Sequence, residues 1–311
     1  MSRPRIPPMR LHPTSRWVAA RRPSQAAASV ADPRGVVAWE GHHAGRMKVL
    51  LLIPLVLALL VASPSAAAPA TDPKPTGETT QAEAPETGKT PWSPPTFSER
   101  RADREAMVKV IQRYGVDAKA VLAAMRSVPR HEFVPEKHGG RAYADMPLPI
   151  GYGQTISQPY MVAEMTRLLD LDADDRVLEV GTGSGYQAAV LTHFTPHVRT
   201  IEIVGPLAKA AKKRFDRLGY DCVEVRYGDG YHGWPGQARF DAVIVTCAVG
   251  QIPPPLVKQL KPGGRMVVPV GGPFAVQRLL FLQKNAKGEV TSRSLMAVRF
   301  VPLLRRDPTS D

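Results

Sequence analysis

The feature of this 311-residue chain that most restricts its fold is an alternation of short apolar runs and helical segments that begins at Arg176. The runs are apolar almost throughout, which predicts strands buried on both faces of a parallel sheet. The predicted strands are "RVLEVG", "VRTIEIV", "CVEVRYG", "FDAVIVTCAV" and "RMVVPVGG", with helices from about Tyr186, in "PLAKAAKKRFDRLG" and in "PPPLVKQLK". We therefore expect an α/β fold, a doubly wound and mostly parallel sheet whose ligands bind at the carboxyl ends of the strands.

Further elements are predicted on both sides of this region. N-terminal helices are expected in "SERRADREAMVKVIQRYG", with Ala106, Val110, Ile111 and Tyr114 on one helical face, and in "DAKAVLAAMRSV". A third helix is expected to start at Pro159, with Ser157 just upstream where a capping hydroxyl is favoured. Near the end, "RLLFLQKN" and "SLMAVRFVPLL" flank the turn-like "AKGE", which predicts a C-terminal antiparallel hairpin.

The first predicted strand leads into a glycine loop, "VLEVGTGSGYQ". Gly181, Gly183 and Gly185 are spaced G-x-G-x-G, one residue tighter than the G-x-G-x-x-G of dinucleotide-binding loops. No G-x-x-x-x-G-K-[ST] motif lies near it, which argues against a triphosphate site. The loop therefore favours a ligand without a phosphate at this position.

Three acids are predicted at successive strand ends around that loop. Glu179 precedes the loop, and Glu202 ends the next strand, where a carboxylate can accept both hydroxyls of a ribose. Asp229, followed by Gly230 in "YGDGYHGW", can meet an adenine amino group. Because carboxylates repel phosphate and attract cations, the set predicts a positively charged nucleoside, and S-adenosylmethionine fits with its sulfonium and ammonium groups.

Several motifs outside the loop resemble one family, the protein-L-isoaspartate O-methyltransferases. The resemblance runs from about Ala106 to Leu304 and rests on "VPRHEFVP", "LPIGYGQTISQPYMVAEMTRLLDL", "RVLEVGTGSGYQAAVL", "YGDGYHGWP", "FDAVIVTCAV", "LKPGGRMVVPVG" and "AVRFVPL". It implies a Rossmann-like class I methyltransferase fold and methyl transfer from S-adenosylmethionine to the free α-carboxylate of L-isoaspartyl residues in damaged proteins and peptides. The methyl ester then collapses to a succinimide, whose hydrolysis returns some normal aspartate.

The chemistry of this reaction needs orientation more than proton transfer, because a carboxylate is already a nucleophile. Ser157 in "QTIS" matches the family's active-site serine, and we expect its hydroxyl to orient the carboxylate as the catalytic residue. Gln154 and Thr155 in the same stretch are expected to bind substrate, as is Arg299 in "VRFVPL", which can pair with a carboxylate. The histidines show no metal-ligand spacing, and no metal is expected.

Two residues and one stretch complete the predicted pocket. His232 and Trp234, close to Asp229, are expected to form pocket wall or packing. After the fourth predicted strand the segment Cys247–Gly250 departs from the Ala-Ala-Pro-like sequence typical of the family, which puts the substrate preference in doubt but not the reaction type. Cys247 and Cys222 lie in apolar runs and are expected to be reduced core residues.

Other functions stay open at this stage. The positive charge of the chain suggests a nucleic-acid methyltransferase, but "GQIPPP" lacks the Asn or Asp and the aromatic residue that flank Pro-Pro in many base-methylating enzymes. Aromatic and basic residues are also not interleaved as base stacking requires, so no nucleic-acid partner is expected. A small-molecule methyltransferase and a non-catalytic S-adenosylmethionine-binding module are the remaining alternatives.

The first third of the chain is not part of the predicted enzyme. Residues 1–46 form a basic extension with eight arginines, expected to be disordered, and residues 47–70 resemble a signal peptide or membrane anchor. Residues 71–97 read as a Pro-, Thr- and Glu-rich linker, and residues 98–311 as the methyltransferase domain. A signal peptide should start a chain, so one explanation is that translation begins at Met47 and the preceding residues are an upstream extension.

These segments give two conflicting predictions for the compartment. The signal-like segment points to the periplasm or a membrane anchor, and to contact with the membrane or the export machinery. S-adenosylmethionine is made in the cytoplasm, and the resembled family is usually found there. The cytoplasm is therefore the localisation that we expect.

Overall fold

The computed structural model of the protein describes residues 92–306 except Gln237 and Phe274. The predicted extension 1–46 and the signal-like segment 47–70 therefore lie outside the described residues, as does nearly all of the predicted linker. No helix within the described part of the chain has the length and apolar character needed to cross a membrane.

The packed part of the chain includes residues that the sequence assigned to the linker. The indole Nε1 of Trp92 donates a hydrogen bond to the backbone carbonyl of Thr192 at 3.2 Å. The ring of Phe97 stacks on that of Tyr220, with centroids 6.3 Å apart. The folded region therefore extends upstream of the predicted boundary at Ser98.

Two sheets are formed by the described residues, a short hairpin and a seven-stranded main sheet. Their strands are β1 Leu148–Gly151, β2 Gln154–Ile156, β3 Val177–Val180, β4 Val198–Glu202, β5 Glu224–Tyr227, β6 Phe240–Val245, β7 Leu260–Val270, β8 Gln277–Lys284 and β9 Val290–Val298. The order in the main sheet is β5-β4-β3-β6-β7-β8-β9, parallel from β5 to β7 and antiparallel from β7 to β9. The order reverses between β3 and β6, so the ligand crevice is expected at their carboxyl ends.

Helices cover both faces of this sheet. They are α1 Arg101–Arg113, α2 Lys119–Ser127, α3 Pro159–Leu169, α4 Tyr186–Leu191, α5 Gly205–Leu218 and α6 Pro254–Gln259. Successive residues of β3 point to opposite faces, so Val177 packs in the core cluster that includes α1 to α5, and Leu178 packs in the cluster that includes α6. The predicted doubly wound, mostly parallel α/β class with N-terminal helices and a C-terminal antiparallel hairpin is confirmed.

The buried face of α1 differs from the predicted one. Tyr114, predicted on the same helical face as Ile111, is 60% exposed, whereas Arg104 is buried beside Met107 and Ile111. The guanidinium of Arg104 donates hydrogen bonds to the backbone carbonyls of Glu99 and Phe97, while its Nε has no hydrogen-bond partner among the described residues. An arginine whose terminal nitrogens bind backbone carbonyls can therefore occupy a position that hydrophobicity alone assigns to the surface.

The stretch "PLPIGYGQTIS", which gave no strand signal, forms the β1–β2 hairpin. Tyr152 (φ 52°) and Gly153 (φ 70°) both adopt left-handed conformations at its tip, as a two-residue turn of this type requires. Gln154 and Thr155 belong to β2, and Ser157 follows it directly. The hairpin thus brings three of the predicted site residues to one place.

Ser157 does not cap α3, although the sequence favoured that role. The N-cap residue is Gln158, and its side chain makes no capping hydrogen bond. Instead, Asp145 Oδ1 accepts a hydrogen bond from the backbone amide of Tyr160 at 2.8 Å and so caps the helix from a distant part of the chain. The Ser157 side chain is therefore not used by the helix end.

The last predicted strand is too long at its C-terminal end. β9 ends at Val298, after which both side-chain amide atoms of Gln277 bind the backbone of Phe300. The chain then lies beside Ala248 at the carboxyl end of β6, where the amide of Leu303 donates to the Ala248 carbonyl at 2.7 Å. The "RFVPL" motif therefore belongs to the crevice end of the sheet.

Candidate active site

The glycine loop leaves β3 with backbone conformations that side chains rarely adopt. Gly181 has φ +101°, and a Cβ built on it would lie 2.5 Å from Thr246 Oγ1. Thr246 is held there by hydrogen bonds from its hydroxyl to the carbonyls of Gly181, at 2.7 Å, and Val180, at 3.1 Å. The absence of a side chain at Gly181 thus lets the ends of β3 and β6 approach each other closely.

Glu202, at the end of β4, organises this loop. One carboxylate oxygen accepts the amide of Gly183 at 2.7 Å, and the other accepts the amide of Val204 at 2.9 Å. The side chain is buried, and each oxygen retains a second lone-pair site. Glu202 therefore holds the loop in shape and can still accept hydrogen bonds from a ligand.

Glu179 is buried in β3, and only one of its two carboxylate oxygens accepts a hydrogen bond from the described residues. Its Oε2 accepts a hydrogen bond from Thr200 Oγ1 at 2.6 Å, and that hydroxyl lies 2.6 Å from Thr182 Oγ1. Its Oε1 has no hydrogen-bond partner among the described residues. Burial raises the pKa of Glu179 to about 8, with nearby Glu202 adding to the effect and the Thr200 hydrogen bond opposing it.

Two adjoining spaces open around these acids. The first, which we call the cleft, has an empty volume of about 480 Å³ that includes open solvent at its mouth. The cleft is lined by Gln154, Thr155, Val180, Gly181, Gly183, Ile201, Glu202, Ile203, Gly230, Thr246, Cys247, Val301, Pro302, Leu303 and Leu304. The second, the inner pocket, is lined by Thr155, Ile156, Ser157, Val162, Glu179, Gly181, Thr182, Gly183, Ser184, Tyr186, Gln187 and Thr246. The predicted serine and the predicted acid before the glycine loop therefore line the same pocket.

Asp229 lies at the edge of this arrangement. Its neighbour Gly230 lines the cleft, where a Cβ would lie 2.5 Å from Val180 Cγ1. The Asp229 carboxylate instead lines a separate surface depression and pairs with Arg305 Nε at 2.8 Å. Burial alone would raise the pKa of Asp229, but hydrogen bonds from Arg305 and from nearby backbone amides lower it below its ordinary value.

Three other predicted residues lie outside the cleft and the inner pocket. Arg299 follows β9, is exposed, and lines neither space. His232 shares the depression with Asp229, its Nε2 4.0 Å from the carboxylate. Trp234 packs on the core face that carries α6, with the guanidinium of Arg199 5.0 Å from its ring centroid.

The part of the chain that carries this candidate site matches a known protein family. Residues 102–307 match the family model described as protein-L-isoaspartate(D-aspartate) O-methyltransferase. The chain is a member of that family. Membership confirms the predicted enzyme class, its methyl donor S-adenosylmethionine, and the repair reaction on L-isoaspartyl residues of proteins, and it removes the nucleic-acid, small-molecule and non-catalytic alternatives.

Individual relatives support the assignment over most of their length. The chain is 58% identical over 183 residues to protein-L-isoaspartate O-methyltransferase 2 of Syntrophobacter fumaroxidans, a match that covers 59% of this chain and 74% of the relative. It is 54% identical over 213 residues to protein-L-isoaspartate O-methyltransferase 1 of Nitrosospira multiformis, a match that covers 68% of this chain and 90% of the relative.

Solved structures agree in fold. A protein-L-isoaspartate O-methyltransferase superimposes with a TM-score of 0.58 at 30% identity, covering 64% of this chain and 65% of that one. A Plasmodium falciparum structure of the same description, in complex with S-adenosyl-L-homocysteine, gives a TM-score of 0.57 at 24% identity. The match covers 65% of this chain and 99% of that one. The second likeness concerns the fold alone.

Sequence reasoning missed several residues of the methyltransferase site. Thr246 and the segment Val301–Leu304 line the cleft, yet both lie in stretches read as plain strand. The "RFVPL" motif was the available signal for the segment, because it was specific to the family although it lay inside the predicted strand. Cys247 is buried in the cleft wall and Cys222 is half-buried, and both are free thiols, as expected.

The raised pKa of Glu179 predicts a pH-dependent stability of the ligand-free methyltransferase. Between about pH 4.5 and 8 the folded protein holds a proton on Glu179 that the unfolded chain has lost, so the free energy of unfolding falls as the pH rises through this window. Glu179→Gln removes this titration. From pH 5 to pH 8 the melting temperature of the wild-type protein should therefore fall by at least about 3 °C more than that of Glu179→Gln. Equal falls for the two proteins would contradict the assigned protonation.

Proposed function

We propose that methyl transfer takes place where the inner pocket meets the cleft, with the acceptor carboxylate at Ser157 and the donor at the glycine loop. The observation that carries this proposal is the common lining of the inner pocket by Ser157, Glu179 and the loop from Gly181 to Ser184. Acceptor and donor residues from separate parts of the chain line one pocket there. Holding two reactants in such a space removes much of the entropic barrier to their reaction.

The residues present fit S-adenosylmethionine. The unpartnered Oε1 of Glu179 is a buried acceptor that an ammonium group would satisfy, and an incoming cation would favour the ionised carboxylate. Glu202 has lone pairs left for ribose hydroxyls, and the bare backbones of Gly181 and Gly230 allow close approach. When bound, this donor supplies a methyl group made electrophilic by its sulfonium.

Asp229 has a smaller part in this proposal than the sequence suggested. Two donors bind its Oδ2, from Arg305 and the amide of Arg306, and the amide of Tyr231 binds Oδ1. One acceptor site on Oδ1 remains for an adenine amino group. We infer that Gly230, not the carboxylate, makes the nearer approach to the nucleoside.

The task of Ser157 is to orient the acceptor. The carboxylate of an L-isoaspartyl residue needs no general base, so a hydroxyl that donates one hydrogen bond can fix one oxygen and aim the other along the line to the methyl carbon. Arg130 binds only the backbone carbonyl of Ser157, and α3 does not use the side chain as a cap, which leaves the hydroxyl available for this task. Thr155 lines both spaces and Gln154 lines the cleft, where they can bind the peptide around the acceptor.

Apolar residues of the C-terminal segment are proposed to exclude water from the reaction. Val301, Leu303 and Leu304 form one wall of the cleft, close to the donor residues. A dry wall prevents hydrolysis of the activated methyl group and strengthens the interactions of the buried acids. Arg299 lies outside this wall and would act, at most, on parts of the peptide far from the reacting atoms.

Paired peptides test the proposed substrate. We expect radiolabelled methyl transfer to a peptide with one L-isoaspartyl residue and none above background to its normal aspartyl twin, because only the former presents an α-carboxylate off the main chain. The label should then be released as methanol when the neighbouring amide nitrogen attacks the ester and closes the succinimide. Equal labelling of the two peptides, or none of either, would contradict the proposal.

We propose further that the methyltransferase domain works in the cytoplasm, where its donor is made. The predicted segments 1–46 and 47–70 bear on this proposal but lie outside the described residues. Fractionation of the native cells separates the outcomes, since activity confined to the periplasm or the membrane would contradict a cytoplasmic site of action.

A further inference from the structure

Arg130, in the motif "VPRHEFVP", is a fully buried cation that contacts the Ser157 segment. It begins a 3₁₀ turn, Arg130–Phe133, and its side chain is 0% exposed. Its Nη2 donates a hydrogen bond of 2.6 Å to the carbonyl of Ser157, and its Nε donates one of 2.8 Å to the carbonyl of Ala142. The guanidinium fork thereby fixes the backbone on which the proposed catalytic hydroxyl stands.

The same guanidinium contacts the donor side of the site. Its carbon lies 4.7 Å from the ring centroid of Tyr186, the first residue of α4, which begins directly after Gly185 of the glycine loop. Tyr186 itself lines the inner pocket together with Ser157. Arg130 therefore touches the acceptor segment and the donor segment at once.

A second link ties the Arg130–Phe133 turn to the glycine loop. Arg214 of α5 donates from Nε to the carbonyl of Glu132 and from Nη1 to the carbonyl of Ser184, each at 2.8 Å. Ser184 is part of the glycine loop and lines the inner pocket. The turn is thus bonded to Ser157 on one side and, through Arg214, to the glycine loop on the other.

Packing alone does not account for an arginine at this position. Arg130 makes no ion pair of 4 Å or less with a described carboxylate, and its Nη1 has no hydrogen-bond partner among the described residues. Burial lowers its pKa to about 10, which reflects the penalty of holding the charge away from water. A buried cation without a carboxylate partner is unfavourable compared with an apolar side chain of similar volume. The hydrogen bonds of its guanidinium to the backbone, and not its packing, therefore explain why this position holds an arginine.

We propose that Arg130 is a positioning residue for methyl transfer, which sets the distance between Ser157 and the glycine loop by binding the Ser157 carbonyl and stacking on Tyr186. Arg130 lines neither the cleft nor the inner pocket, so it acts through the residues that it contacts. This inference rests on the proposed role of Ser157, because Arg130 acts through it.

A double-mutant cycle with Arg130→Lys and Ser157→Ala tests this role. Lysine keeps the charge but not the planar fork, so the Ser157 carbonyl loses its fixed position. We expect Arg130→Lys to lower kcat on an isoaspartyl peptide roughly 100-fold. The Kd for S-adenosylhomocysteine and the KM for peptide should stay within about threefold of wild type. In the Ser157→Ala background the same change should lower kcat less than about threefold further, because both changes remove one interaction.

The matched control is Arg126→Lys on α2, where the arginine pairs with Glu105 at 2.9 Å on the surface, and we expect wild-type kcat from it. Arg130→Gln, which keeps a donor without the charge, is the second substitution, and circular dichroism verifies folding. A kcat near wild type for Arg130→Lys, or an equal fold-loss in both backgrounds, would overturn the inference. So would failure of both Arg130 substitutions to fold, which would make the residue structural. A Ser157→Ala single substitution with wild-type kcat would instead overturn the role of Ser157 itself.

Discussion

Replacing Ser157 with alanine is expected to lower kcat on an isoaspartyl peptide by about 100- to 1000-fold, the usual effect of removing one oriented donor from an active site. The Kd for S-adenosylhomocysteine should change by less than about threefold. The reason is local. The hydroxyl is not used by α3, whose first turn is capped by Asp145, and the glycine loop is held by Glu202 without help from Ser157. Steady-state kinetics and calorimetric titration of the same preparation measure both quantities.

Ser127→Ala provides the control for this substitution. Ser127 ends α2, and its hydroxyl only donates to the carbonyl of Ala123 one turn earlier, at 2.9 Å. Activity close to wild type is expected from it. If Ser157→Ala instead weakened S-adenosylhomocysteine binding in proportion to the loss of kcat, the serine would be part of the donor site and not an acceptor-orienting group.

Replacing Gly181 with alanine should weaken donor binding, with the Kd for S-adenosylhomocysteine raised by about 100-fold or more, because the loop cannot keep its shape. The new methyl group would lie 2.5 Å from Thr246 Oγ1, and the backbone φ of +101° is strained for any residue with a Cβ. Thr246 cannot withdraw freely, since its hydroxyl is bonded to the carbonyls of Val180 and Gly181. The ends of β3 and β6 would therefore have to separate.

Gly140→Ala is the matched control for the glycine substitution. Gly140 lies in the 3₁₀ turn Glu136–Arg141, outside the left-handed region, with nothing within 4 Å of the position that a Cβ would take. Its Kd should equal that of the wild type. Normal binding by Gly181→Ala, with a melting temperature like that of Gly140→Ala, would show that the close approach of the loop to Thr246 is not needed.

The parallel core of the fold was predictable because the pattern is set by local chemistry. Strands β3, β4 and β6 are mostly buried on both faces, and α5 is followed by Gly219 (φ +78°), a residue free to adopt the left-handed cap. The glycine loop and Glu202 could be placed for the same reason. They follow directly from strands whose carboxyl ends must share one edge of a parallel sheet.

Features that depend on distant partners could not be predicted in this way. The cap of α3 comes from Asp145 and not from the nearby Ser157. The last strand ends early because Gln277 binds the backbone of Phe300, which leaves Arg299 outside the cleft. The carboxylate of Asp229 is bound by Arg305, a residue far along the chain. In each case one side-chain contact between residues distant in sequence determines where a predicted residue lies. Local sequence periodicity carries no information about such a contact.

The arrangement of acceptor and donor around the inner pocket is tested most directly by a crystal structure with S-adenosylhomocysteine and an L-isoaspartyl peptide bound. In that structure we expect the α-carboxylate of the isoaspartyl residue about 3 Å from Ser157 Oγ and the ammonium group of the nucleoside product at Glu179 Oε1. An α-carboxylate paired with Arg299 and remote from Ser157, or a nucleoside bound in the depression beside Asp229 and Arg305, would contradict it.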